Sequence, residues 1–227
     1  GEFRPHGICL LPVDGARVRG VSISNVSMRH VSAPIFLRVG NRTAPSAMSD
    51  VVISNVVAID AAMTSAVAGV FSRPVEDISV SDLRMVMTGG GQASLPEKQV
   101  PEREAAYPSG RMFGELPAYG FYARHARGVD LRRISVSCEQ VDGRPALVAD
   151  DVTGLVVERF HAEGQLRLTN VRRVVVRGAR GRVRVSGAQS RDVLLTPACP
   201  AANADVWERT PEVCQTVCGW RSPGEKD

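Results

Sequence analysis

The octapeptide Val21-Ser-Ile-Ser-Asn25-Val-Ser-Met28 decides how this chain is read. It returns as Val51-Val-Ile-Ser-Asn55-Val-Val-Ala58 and as Ile78-Ser-Val-Ser-Asp82-Leu-Arg-Met85. Looser copies are Val129-Asp-Leu-Arg-Arg133-Ile-Ser-Val136 and Leu155-Val-Val-Glu-Arg159-Phe-His-Ala162. The first, third and sixth places are apolar, and usually the last; a small polar residue or Arg stands fifth. Apolar residues two apart describe a strand with one face buried. The step from third to sixth breaks that alternation, so the chain turns between them. Asn or Asp at the turn bonds its own backbone and tolerates left-handed geometry.

The copies begin at Val21, Val51, Ile78, Val129 and Leu155. That is a period of roughly 20 to 30 residues, interrupted by one long insertion. Shorter steps follow at Val174-Val-Val176 and Val193-Leu-Leu195. Strand–turn–strand units at this spacing stack in parallel, each burying its neighbour's apolar face. The expected fold is all-β: a right-handed single-stranded parallel β-helix, a solenoid. In it Ile23, Ile53 and Val80 stack in line, and Asn25, Asn55 and Asp82 form a polar ladder at one turn. An antiparallel sandwich is the alternative; it gives no reason for Asn or Asp to recur at one place. A solenoid needs a polar cap at each end, and nothing before Ile8 reads as one. The N-terminal coils are therefore expected to be missing, the chain being the C-terminal part of a longer protein.

Composition agrees with a packed β domain. Hydrophobic residues make up 44% and aromatics only 5%, which suits a narrow interior of Val, Ile and Leu. The net charge of +4 is a modest excess, concentrated between Arg172 and Arg184. There Arg alternates with Val, so Arg182-Val-Arg184-Val reads as the outer side of a strand, and no nucleic-acid partner is expected. No apolar run is long enough to span a bilayer. No signal peptide is visible, which in a C-terminal part says nothing about export. Cys9 and Cys138 sit among apolar neighbours and are expected to be buried thiols. Cys199, Cys214 and Cys218 lie in a Pro-rich tail, where a disulfide from Cys199 to Cys214 or Cys218 would suit an exported protein. Zinc at Cys214 and Cys218 lacks a fourth ligand, and His30, His125 and His161 are dispersed. No metal and no cofactor are expected.

The expected organisation is β-helix coils over residues 1–195 with a long insert at 89–117, then a C-terminal cap and tail at 196–227. Gly89-Gly-Gly91 opens the insert, and Pro96, Pro101, Pro108 and Pro117 punctuate it. Such long irregular loops are often functional. Tyr107, Met112 and Phe113 predict that its second half packs down, with Tyr107 to Leu116 lying over the groove beside Arg38 and Arg42. In the tail Val206, Trp207 and Trp220 are candidate anchors.

Longer phrases carry a resemblance. Met112-Phe-Gly-Glu-Leu-Pro-Ala-Tyr-Gly-Phe-Tyr-Ala-Arg-His125 and Arg144-Pro-Ala-Leu-Val-Ala-Asp-Asp-Val-Thr-Gly154 resemble bacterial members of glycoside hydrolase family 28, the polygalacturonase-like pectin hydrolases. Gly7-Ile8, Asp14-Gly15, Ser24-Asn25-Val26, Ala33-Pro-Ile-Phe-Leu-Arg38 and Gly40-Asn41-Arg42 fit the same family. The resemblance covers residues 7 to 160 and implies a right-handed parallel β-helix and inverting hydrolysis by Asp residues. The family's phrases Asn-Thr-Asp, Asp-Asp and Gly-His-Gly belong upstream and do not occur here. The place of its Arg-Ile-Lys phrase is taken by Cys9-Leu10-Leu11, so both basic residues that would meet the substrate carboxylate are replaced. Asp150-Asp151 stands too late in the chain to be the catalytic pair.

The function expected is therefore that of the C-terminal part of a pectin-type polysaccharide hydrolase. Its partner would be a uronate-containing pectic substrate, and the protein a secreted or periplasmic monomer. Hydrolysis needs an acid for the leaving oxygen and a base for water, and no catalytic residue is assigned within this chain, which alone is expected to be inactive. Candidate substrate-binding residues are Arg38, Asn41 and Arg42, since Arg suits bidentate carboxylate recognition. Tyr107 could stack on a sugar ring, and Glu115 stands in a motif beside a loop. Each of these also has an ordinary structural reading. Two other functions stay open: a catalytically silent β-helix that binds polysaccharide or acts as a scaffold, and a calcium-assisted lyase, which no acidic cluster supports.

Overall fold

A computed structural model describes residues 4–94 and 99–196. The tail cysteines Cys199, Cys214 and Cys218, the anchors Val206, Trp207 and Trp220, and nearly all of the expected cap lie outside the described residues. Those described form strands and irregular segments, with no helix among them.

Short and long strands alternate at first. β1 (Ile8–Leu10), β3 (Ile35–Arg38) and β5 (Ser65–Ala68) are short; β2 (Arg17–Val31), β4 (Ala47–Ala61) and β6 (Val75–Gly89) are long. β7 (Phe121–Gln140) and β8 (Leu147–His161) each serve both roles. The chain then shortens into β9 (Gln165–Thr169), β10 (Arg172–Arg177), β11 (Arg182–Ser186) and β12 (Arg191–Thr196). Every strand ladder is parallel. One run joins β1, β3, β5, the start of β7, the start of β8, β9 and β11. The other joins β2, β4, β6, β7, β8, β10 and β12. Each pass of the chain thus lies against the pass before it. The antiparallel sandwich is excluded: the one antiparallel bridge among the described residues, Val70 with Arg73, closes a tight hairpin.

The register expected from the repeats is found. Ile23, Ile53, Val80, Leu131, Val157, Val176 and Leu195 stand in line through six successive pairings. The inner members are fully buried, while Ile23 and Leu195 at the two ends are half-buried. A pass with a described neighbour on each side hides this row from solvent; a pass with one described neighbour leaves it partly open.

The turn residues stack too. Asn25, Asn55 and Asp82 have φ of 60°, 52° and 54°, and Asn55 Nδ2 donates to Asn25 Oδ1 at 2.6 Å. Arg133 (φ 53°) occupies the next place and donates twice to the Asp82 carboxylate, at 2.6 and 2.7 Å. Arg133, standing where the earlier repeats have Asn or Asp, therefore bonds to the ladder residue before it.

Cys9 and Cys138 are half-buried rather than fully buried. Burial still raises both thiols, Cys138 to about 11. No helix among the described residues is long and apolar enough to cross a membrane.

Candidate functional site

The site is built on the outer side of the short-strand ladder. Alternation along Ile35-Phe36-Leu37-Arg38 sends Ile35 and Leu37 into the main core and Phe36 and Arg38 outward. In register with Phe36 stand Ala66, Tyr122 and Val148; in register with Arg38 stand Ala68, Arg124 and Asp150. The outward side chains of β5 are thus two alanines between larger neighbours. Phe113 and Leu116 of the insert pack there, forming a second apolar cluster with Phe36, Ala66, Ala68, Tyr122 and Val148. The Phe36 and Phe113 rings lie 6.1 Å apart. Gly110 passes so close to His6 that a Cβ there would fall 2.2 Å from its ring. The insert is therefore a strap over this face, beside Arg38 and Arg42 as expected.

Both ends of the strap are tied to one loop. Asp142, its side chain fully buried, accepts from Gly91 N at 3.0 Å and from Arg144 at 2.9 and 2.7 Å. Arg144 in turn reaches Leu116 O and pairs with Glu115 at 3.4 Å.

Beneath the strap lies a cluster of charge. Arg38 is 1% exposed. Its Nη1 donates to Gly69 O, its Nη2 donates to Glu102 O at 2.6 Å, and its Cζ sits 5.1 Å from the Phe113 ring centre. Burial, and then the neighbouring Arg124, bring its guanidinium down to about 10. Arg124 donates to Val100 O at 2.6 Å and to the Glu102 carboxylate. Next in the chain, His125 takes a φ of 47° at the corner, stacked against Asp151 at 52°. Its Nδ1 lies 2.7 Å from Asp151 Oδ2 and its Nε2 lies 3.2 Å from Glu102 Oε1. Phe71, on the hairpin tip and 75% exposed, meets the imidazole edge-on at 5.7 Å. Gly69 allows this corner to close: a Cβ there would stand 2.3 Å from His125 O.

The second grouping is exposed. Arg42 pairs with Asp14 and places its Cζ 5.3 Å from the Tyr107 ring centre. Hydrogen bonds from Arg42, then Thr43, hold the Asp14 carboxyl down at about 2. Asn41 N donates to Glu104 O at 3.0 Å, which ties this turn to the strap.

The five residues expected at the site fare differently. Arg42 and Tyr107 form one solvent-facing corner. Asn41 joins it through its backbone. Arg38 is sealed under the strap, where two carbonyl oxygens and an aromatic face meet its guanidinium instead of solvent. Glu115 is exposed but belongs to the Arg144 anchor. Glu102 and Arg124 escaped sequence reasoning, while His125 and Asp151 were set aside, one as a dispersed histidine and the other as part of a late Asp pair. The signal available was that Arg124 and His125 close the long phrase that begins at Met112 and that Asp151 stands in the one that begins at Arg144.

Chemically, the cluster suits anion binding better than acid–base hydrolysis. An inverting pair of carboxylates needs a gap that admits water and the sugar. Between Glu102 and Asp151 that gap is filled by the His125 ring. Asp150 projects outward beside Arg124 in the strand register. No group of His, Cys, Asp and Glu suited to holding a metal ion occurs among the described residues. Against family models, curated proteins and solved structures, the chain matches nothing.

Proposed function

We propose that this chain is a right-handed single-stranded parallel β-helix forming the C-terminal part of a polygalacturonase-like hydrolase. It would act on a uronate-containing pectic polysaccharide by inverting hydrolysis, as an exported monomer. The catalytic carboxylates would come from a part of the protein that precedes these residues. The observation that carries this reading is the parallel register of successive passes, with a strap-covered face that carries Arg38, Arg124 and His125 on its outer side. Stacked passes about 4.8 Å apart give a long flank along which a polymer can run. Arg42 and Tyr107 stand at the rim, where an acidic sugar would have to take the place of Asp14 on the Arg42 guanidinium to bring its own carboxylate there.

A second reading is a silent polysaccharide-binding module. It is favoured by the carboxylates themselves. Glu102, Asp14, Glu115 and Asp142 are each engaged with Arg or His, so none stands ready as acid or base. The two readings agree for the chain alone: Gly1–Asp227 binds and does not hydrolyse. The test is reducing-end release from polygalacturonate and from rhamnogalacturonan. No turnover is expected. Turnover abolished by Glu115→Gln or Asp150→Asn would put the active site inside this chain and contradict the proposal.

A further inference from the structure

Three basic groups meet on one face: Arg38 on β3, and Arg124 and His125 on β7. With Ala68 between them in the register, the Arg38 and Arg124 backbones stand about 10 Å apart, two strand spacings. All three belong to regular strands whose positions the ladder fixes. What they hold does not. Glu102 comes from the irregular strap, and its Oε1 alone takes the bonds from both Arg124 and His125.

The arrangement is electrostatically incomplete. Arg38 has no carboxylate within ion-pair distance among the described residues; its two Nη bonds go to main-chain oxygens. The Nε atoms of Arg38 and Arg124 are buried without a hydrogen-bond partner, and so is Glu102 Oε2. Glu104 acts on Arg38 only from beyond ion-pair distance; a buried charge without a close counter-charge is costly, and each orphaned donor or acceptor adds to that cost. An arginine fork is shaped for both oxygens of a carboxylate, whereas Glu102 offers it one. Glu102 is therefore an imperfect occupant, carried by a strap that also approaches Arg38 and Arg124 through the carbonyls of Glu102 and Val100.

We propose that Arg38, Arg124 and His125 form a carboxylate-binding site which Glu102 fills as an internal stand-in, and that the carboxylate of a sugar acid displaces it. The strap is then a plug: it keeps the basic groups covered until an acidic ligand takes its place. Asp151, on the far side of His125, holds the imidazole with Nε2 facing the site. The assignment of the ligand as a sugar acid rests on the pectic reading above; the carboxylate site itself does not.

The test uses Glu102→Ala and the isosteric Glu102→Gln in the whole chain, with thermal unfolding and titration calorimetry. Both variants are expected to melt below the parent. Acetate is expected to restore their melting temperature, and chloride at equal ionic strength is not. Galacturonate is expected to bind the variants about tenfold more tightly than the parent, equivalent to about 1.4 kcal/mol. Galactose is expected not to bind, and adding Arg124→Gln to remove both effects. If acetate does no more than chloride in either variant, the carboxylate site is overturned. If acetate restores stability but galacturonate binds no better than acetate, the sugar-acid assignment is overturned and the site serves Glu102 alone.

Discussion

Single residues set the corners of this molecule. At Asn25, Asn55, Asp60, Asp77, Asp82, Asp151 and Asn170 the backbone is left-handed, a conformation that costs an ordinary L-residue roughly 1–2 kcal/mol. Asn and Asp tolerate it because their short polar side chains bond locally. Asn55 adds a bond to Asn25 along the stack. Asn55→Val should therefore destabilise the protein by about 2 kcal/mol, and Asn55→Gly by well under half of that, in urea unfolding followed by circular dichroism. Equal losses would show that the side-chain bond, not the backbone, fixes this corner. This layer was legible in advance because a corner residue leaves a mark at a fixed place in each repeat. His125 and Arg133 occupy such corners as well, and their types do not announce it.

At the level of elements, the strap is the part that sequence described least. Its second half reads as packed because Tyr107, Met112 and Phe113 are apolar and lie between prolines. Where its charges go was not legible. Glu102 meets Arg124 and His125 from 22 and 23 residues away, across a segment with no period, and only the folded register of β3 and β7 brings Arg38 to the same face. Arg38 reads in the sequence as a substrate-binding residue, which needs it accessible, as arginines usually are; the strap made it a buried one. The anchor at Asp142 gives this element a test. Asp142→Ala leaves the buried Arg144 with only its longer pair to Glu115, a change that costs less than the roughly 3–5 kcal/mol of a buried charge left wholly unpaired, and it frees Gly91 N at the start of the strap. Limited proteolysis should then cut within the strap sooner than in the parent, while the long-strand ladder stays protected. Simultaneous cleavage throughout would mean that strap and ladder unfold as one unit.

Over the whole molecule, stability follows position along the stack. Leu131 has a pass on either side and is fully buried, whereas Leu195 at the last described pass is half-buried. Leu131→Ala should cost about 2–5 kcal/mol, the range for truncating a buried leucine. Leu195→Ala should cost less than half as much, measured by denaturant unfolding. The central claim is that the same stack carries a face for an acidic polysaccharide. It is tested most directly by affinity electrophoresis of Gly1–Asp227 through gels containing polygalacturonate, neutral galactan or carboxymethyl-dextran. Polygalacturonate should retard the protein, and the other two should not, if the face takes carboxylate and sugar together as proposed. Equal retardation by carboxymethyl-dextran would reduce the interaction to charge, and free migration in polygalacturonate would contradict the account.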